Sequence, residues 1–216
     1  MLEKMSDFFE ARLDTYDSHM LTEIESAPEF YTFTAECLPK TEGCSVLDLG
    51  CGTGLELEYY YPINKSAKVT GIDLCQAMLD ALARKLPDKD ITLICSSYFD
   101  IPFDVAAYDS IVSVESLHHF TKEEKIPLYT SLQKALKDGG YFILTDYFAS
   151  TDEEEKECRS NLSFLKAQQS IADGELYHYD TPLTVAHELE ALNEAGFSKV
   201  EVLKSWGNTH TIKATA

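Results

Sequence analysis

The run Val46-Leu47-Asp48-Leu49-Gly50-Cys51-Gly52-Thr53-Gly54 carries an apolar, β-type stretch straight into alternating glycines. Glycines at such a turn let the backbone fold tightly and let a ligand approach main-chain amides that side chains would otherwise screen. A second apolar stretch, Val69-Thr70-Gly71-Ile72, ends on Asp73. A carboxylate at that place can accept hydrogen bonds from both ribose hydroxyls of an adenosine ligand. Turn and carboxylate together point to a nucleoside cofactor. The dinucleotide fingerprint G-x-G-x-x-G needs its third glycine where Leu55 stands, because Gly54 comes one residue early. That argues against a nicotinamide dinucleotide.

Groups able to move a proton gather at the ends of later apolar runs: Glu115, His118, His119, Tyr147 and His178. Of the adjacent pair His118 and His119, one is expected to face a cavity and the other to be a structural or surface residue.

The elements that must position these residues follow from periodicity. Apolar runs of β composition occur at residues 45–49, 68–72, 91–95, 110–114, 141–145 and 200–204, separated mostly by helix-like segments. Such alternation predicts a doubly wound parallel sheet. A last run at 209–214 follows its predecessor after too short a link for a parallel crossover, so the two should form an antiparallel hairpin.

A helix is predicted over 121–137, with Thr121 and Glu124 as a capping box, Leu128, Leu132 and Leu136 as its buried stripe, and Gly139-Gly140 as its stop. Val185, Leu189 and Leu192 share the face of another, capped by Thr184 and left through Gly196. Two segments stand outside the alternating core. Phe9, Leu13, Tyr16 and Met20 define an N-terminal helix of about residues 6–20 with Ser6 as its cap, and residues 150–182 form an insert with an acidic helix start and the aromatic run Tyr177-His178-Tyr179. Both could cover a ligand cleft or simply close the core.

The chain of 216 residues fits one domain, and its formal charge of −19 repels phosphate backbones and anionic membranes. With no signal-like or membrane-spanning apolar stretch, the expected location is the cytoplasm. The six cysteines form no C-x-x-C pair, so neither disulfides nor structural zinc are expected.

The segment 46–54, Ile72-Asp73, and Tyr108-Asp109-Ser110-Ile111-Val112 leading to Leu117-His118-His119-Phe120 resemble, in order, the successive motifs of the class I S-adenosylmethionine (SAM)-dependent methyltransferases, small-molecule type. The resemblance implies a Rossmann-like three-layer α/β/α sandwich with a seven-stranded, mostly parallel sheet of order 3-2-1-4-5-7-6, strand 7 being antiparallel. It implies that the turn from Gly50 through Cys51, Gly52 and Thr53 to Gly54 passes the methionine portion of SAM, that Asp73 holds the ribose, and that Asp48 orients the turn or the ammonium group. Leu74 and Met78 would flank the adenine, and Glu115 would line the reaction cavity. Where relatives often carry Gly-Asp-Ala, this chain has Ser96-Ser97-Tyr98, so the adenine contact passes to Ser97, with Tyr98 beside it, or to Asp100 if the loop is shifted. The segment 8–17 resembles the family's lid helix and brings Tyr16 toward the cofactor.

The reaction so implied is an in-line displacement on the sulfonium methyl that yields S-adenosylhomocysteine. It needs alignment and exclusion of water, and a general base only if the acceptor arrives protonated; Glu115, His119 and Tyr147 are the leading catalytic residues. Glu115 and Asp146 are too few ligands for a hard cation, so no metal is expected. The acceptor is expected to be a small molecule, with no nucleic-acid or membrane partner, and the chain a monomer or homodimer. An enzyme that modifies the SAM methyl group itself, and a regulatory protein that binds SAM without turnover, are the competing readings.

Overall fold

The computed structural model describes residues 1–172 and 174–216. It contains one seven-stranded sheet of order β3-β2-β1-β4-β5-β7-β6. The strands are β1 (Ser45–Leu49), β2 (Lys68–Asp73), β3 (Ile91–Cys95), β4 (Tyr108–Val114), β5 (Leu136–Tyr147), β6 (Lys199–Trp206) and β7 (Thr209–Thr215). The helices are α1 (Met5–Glu23), α2 (Ala27–Cys37), α3 (Leu55–Tyr60), α4 (Gln76–Lys85), α5 (Lys122–Ala135), α6 (Asp152–Gln168) and α7 (Val185–Glu194), with a 3-10 turn at Leu117–His119. Strands β1 to β5 pair in parallel, and β7 runs antiparallel to both β5 and β6. This is the class I Rossmann-like arrangement.

β1 is buried almost throughout because both faces of the sheet are covered. Alternate residues serve opposite layers: Leu47, Ile111 and Phe142 belong to one apolar cluster, with α5 and α7, while Val46, Val112 and Ile143 belong to the other, with α2 and α3. Outward, β6 is the exposed edge. Among the described residues no helix is long and apolar enough to cross a membrane.

Three local expectations need correction. The helix begun by the Thr121–Glu124 capping box ends at Ala135, not at 137; Leu136 is already extended and pairs with Tyr108. Its burial continues the Leu128–Leu132 stripe, but in the sheet. Gly139, at φ 73°, serves the irregularity between the pairs Tyr108–Leu136 and Ser110–Tyr141 instead of stopping the helix.

The N-terminal helix starts at Met5 and runs to Glu23, with Lys4 at the cap position and no side-chain cap, so Ser6 lies inside it. Its entry is fixed from outside: Met5 N–H donates to Leu176 O at 3.0 Å and His178 N–H to Glu3 O at 3.0 Å. The two segments outside the alternating core therefore clip to each other. One position of the insert, Asp173, lies outside the described residues. The link of the terminal hairpin is Gly207-Asn208, shorter than the four residues 205–208 left between the apolar runs, because β6 extends through Ser205 and Trp206.

Candidate active site

β1 delivers the chain into the glycine turn, where Gly50, Gly52 and Gly54 take φ of 71°, 48° and 75°. Those left-handed values are what side chains avoid. Gly50 and Cys51 N–H groups donate to Ile72 O at 2.8 and 3.1 Å, binding the turn to β2. Asp73 completes the tie: Oδ2 accepts Gly52 N–H and Oδ1 accepts Cys75 N–H, both at 2.8 Å. Burial pushes its carboxyl up, opposed by these backbone donors.

A narrow cleft opens above the turn. Gly50, Gly52, Asp73, Leu74 and Met78 line one side, and Ser97, Tyr98 and Glu115 another. Phe9 and Tyr16 of α1 form the roof. A Cβ on Gly52 would meet nothing nearer than 4.0 Å, where Gly50 O and Tyr16 Cε1 lie, so the missing side chain keeps the space between turn and helix open. Two carboxylate oxygens at one end and two flexible apolar side chains beside them suit a ribose and a flat base. The residues present thus fit a nucleoside ligand.

Four residues expected at the cofactor lie behind this surface instead. Asp48 is 1% exposed, and its oxygens have no hydrogen-bond partner among the described residues. Burial, with the Glu56 carboxyl next to it, pushes its titration well up. Cys51 is buried with its Sγ packed toward Gly71, and Gly54 abuts Leu82. Thr53 donates to Asp17 Oδ1 at 2.5 Å, and Asp17 pairs with Lys85 at 2.5 Å, which ties α1 to both the turn and α4. Asp100 does not line the cleft; Ser97 does.

Beyond the turn after β4 a roomier cleft of about 880 Å³ lies between α1 and the strand ends. Phe9, Tyr16, Glu115 and His119 line both clefts and stand where they meet. Tyr147, His178, Asp180 and Thr209 line the second alone. His118 reaches it too, contrary to the expectation that only one of the paired histidines would, because the 3-10 turn brings their rings to 4.0 Å. Of the aromatic run 177–179, His178 stacks on Phe8 with a ring separation of 3.4 Å, whereas Tyr177 is held outside by Glu175.

The groups at the junction set one another's charge. Asp146, at the end of β5, is 1% exposed and holds His118 Nδ1 at 2.6 Å. Burial alone would discharge both; the pairing instead raises His118 to about 9 and lowers Asp146. Glu115 sits at φ 49°, a strained value for a non-glycine residue, and burial together with the Asp146 charge raises it to about 8. His119 is lowered by burial and by the His118 cation. His178 is lowered to about 4 by burial and His119.

Glu115, His118 and Asp146 bring ligand-type atoms within 4.8 Å of one another, so a third group does join the two carboxylates. Hydrogen bonds already use both Asp146 oxygens: Oδ1 pairs with His118 and accepts Tyr147 N–H at 3.0 Å, and Oδ2 accepts Leu117 N–H at 2.8 Å. This is a charge-setting network. Asp180 is the residue of this site that sequence reading missed; it sits in the insert without any motif, and only the fold carries it to the histidines.

Residues 46–140 match the family model described as a methyltransferase domain. The chain is 28% identical over 194 residues to an uncharacterised methyltransferase of Oceanobacillus iheyensis, covering 87% of each chain. It is 27% identical over 181 residues to the tRNA (carboxymethyluridine(34)-5-O)-methyltransferase of Xenopus tropicalis, covering 83% of this chain but only 26% of that one. Among solved structures, the S-adenosylmethionine dependent methyltransferase of Mesorhizobium loti shares the fold with a TM-score of 0.62 at 19% identity, covering 88% of this chain and 97% of that one.

Proposed function

We propose that this chain, which belongs to the class I, Rossmann-like SAM-dependent methyltransferases, methylates a small molecule that enters the second cleft carrying an O–H or N–H. The observation that carries the reading is the shared wall: Phe9, Tyr16, Glu115 and His119 border both the nucleoside cleft and the larger cavity. A group passed between the two must cross there.

When bound, SAM supplies a methyl group already activated on a sulfonium. The chain's own residues then have to hold, orient and exclude water, effects worth up to roughly 7–11 kcal/mol of barrier in well-aligned systems. Asp73 would hold the ribose hydroxyls, Leu74 and Met78 would flank the base, and Ser97 would meet its amino group, all four lining the narrow cleft. Gly50 and Gly52, the turn residues that line the cleft, would border the methionine portion. Tyr16 and Phe9 on α1 close over the junction as a lid, and the insert of residues 150–182 completes the cover.

His119 is the general base. Its environment keeps it neutral at pH 7, which a proton acceptor requires. Glu115, raised to about 8 by burial and the Asp146 charge, lines the junction as a mostly protonated carboxyl at pH 7. Tyr147 positions the acceptor.

A small acceptor is favoured over RNA by the net charge of −19, which on average repels a phosphate backbone. The test is transfer of label from methyl-labelled SAM into a desalted RNA fraction and into a small-molecule cell extract, with S-adenosylhomocysteine followed by mass. Label in small molecules with stoichiometric S-adenosylhomocysteine is expected. Label confined to RNA overturns the acceptor, and SAM consumption without S-adenosylhomocysteine overturns the reaction.

A further inference from the structure

Asp180 lies in the segment between α6 and α7, held in place by Thr181 N–H donating to His118 O at 2.8 Å. Its Oδ1 stands 3.1 Å from His119 Nδ1 and 3.6 Å from His118 Nε2. A second acceptor reaches the same His119 nitrogen, the main-chain oxygen of Tyr179 at 3.3 Å. A nitrogen facing a carboxylate and a carbonyl must be the one that carries the hydrogen, since neither neighbour can donate. The ring's lone pair is thereby assigned to Nε2, in a side chain that lines both clefts.

We propose that Asp180 is the positioning residue for the base: it fixes His119 as the Nδ1–H tautomer and so leaves Nε2 to take the acceptor's proton. The inference rests on His119 being the base. In the step it serves, the acceptor's proton passes to Nε2, the electron pair freed on the acceptor forms the bond to the methyl carbon, and the carbon–sulfur pair stays on sulfur. His119 then carries the charge, facing the Asp180 carboxylate, and returns its proton to water.

The surroundings agree. Facing His119 are His118 from the 3-10 turn with its partner Asp146 from the end of β5, Glu115 from the turn after β4, His178 from the insert and Phe9 from α1. His118 and burial hold the ring neutral beforehand, and Asp180 is the carboxylate placed to receive the imidazolium afterwards. Asp180 is half-exposed along the second cleft, so its replacement leaves no buried charge stranded.

The test reads tautomer directly from the ring-nitrogen resonances of 15N-histidine-labelled protein, without SAM, with His119→Gln used to assign the signals. The wild type is expected to show Nδ1–H for His119. Asp180→Ala should mix the tautomers and lower the ring's titration midpoint, Asp180→Asn should keep the tautomer but lower the midpoint, and Asp180→Glu should restore both. Turnover in Asp180→Ala should fall roughly tenfold in kcat with KM little changed, a part of the 10²–10⁴-fold that a general base supplies. An Nε2–H wild type, or an Asp180→Ala spectrum and titration identical to wild type in folded protein, overturns the proposal. Because the spectrum needs no bound SAM, that failure is distinct from failure of the base itself, which would show as unchanged turnover in His119→Gln.

Discussion

His118 Nδ1 lies 2.6 Å from Asp146 Oδ1, and the other oxygen of the same carboxylate accepts Leu117 N–H at 2.8 Å. One buried acid thus joins the end of β5 to the turn after β4 and sets the charge of the ring beside it. Burial and the charge on that ring together lower the titration of His119.

Stability should fall as the pH rises. His118 is raised from 6.5 to about 9 in the folded chain, so its stabilisation is complete below about pH 6.5 and is lost as pH climbs through 9. Glu115, raised from 4.5 to about 8, prefers its proton in the folded state and acts in the same direction between those values. Urea unfolding at pH 6, 7.5 and 9 checks this. Asp146→Asn should flatten the upper part of the curve and Glu115→Gln the lower part; parallel curves for all three proteins would refute the assignment.

Lys125 of α5 and Glu188 of α7 form a buried ion pair at 2.6 Å, and Tyr129 also donates to Glu188. Glu188→Ala strands a buried ammonium, so a loss of about 3–5 kcal/mol is expected by chemical denaturation. Lys125→Met with Glu188→Leu should recover most of it.

Gly50→Ala should cripple the turn. The position has φ 71°, and an added Cβ would lie 2.1 Å from Ser116 Oγ. A cost of roughly 1–3 kcal/mol is expected, with SAM affinity falling alongside, measured by thermal denaturation and titration. An unaltered melting curve would contradict the geometry.

The roof over the nucleoside cleft should limit entry. Free space beneath α1 is about 50 Å³, against about 880 Å³ in the second cleft. Phe9→Ala is expected to speed SAM association several-fold in stopped-flow fluorescence and to speed release as well; rates equal to wild type would mean that α1 is no lid.

The parallel sheet, the terminal hairpin and the caps at Thr121 and Thr184 were readable because each depends on neighbours in sequence: alternation, a short link, a side chain bonding a nearby amide; the strand order came only from the family resemblance. Leu136 misled for the same reason. Its i, i+4 spacing fits a helix stripe and its burial is real, yet pairing with Tyr108 across the sheet claimed it for β5. Ser6 could not compete for the cap because Glu3 and Leu176 fix where α1 begins through bonds to the distant insert. Asp180, Glu188 and the Thr53–Asp17 contact have partners dozens of residues away and no motif of their own. The lining of the narrow cleft was legible in part: Asp73, Leu74, Met78 and Ser97 reach it, while Asp48 and Cys51 share the motif but are buried behind it and Thr53 turns to Asp17.

The most direct test is calorimetric titration with SAM, S-adenosylhomocysteine and NADH, on wild type and on Asp73→Ala and Asp73→Asn. Micromolar binding of the first two, weakened roughly 10–100-fold by Asp73→Ala and less by Asp73→Asn, which keeps an acceptor for Gly52 N–H, is the predicted result. Binding of NADH alone, or SAM affinity indifferent to Asp73, would contradict the account.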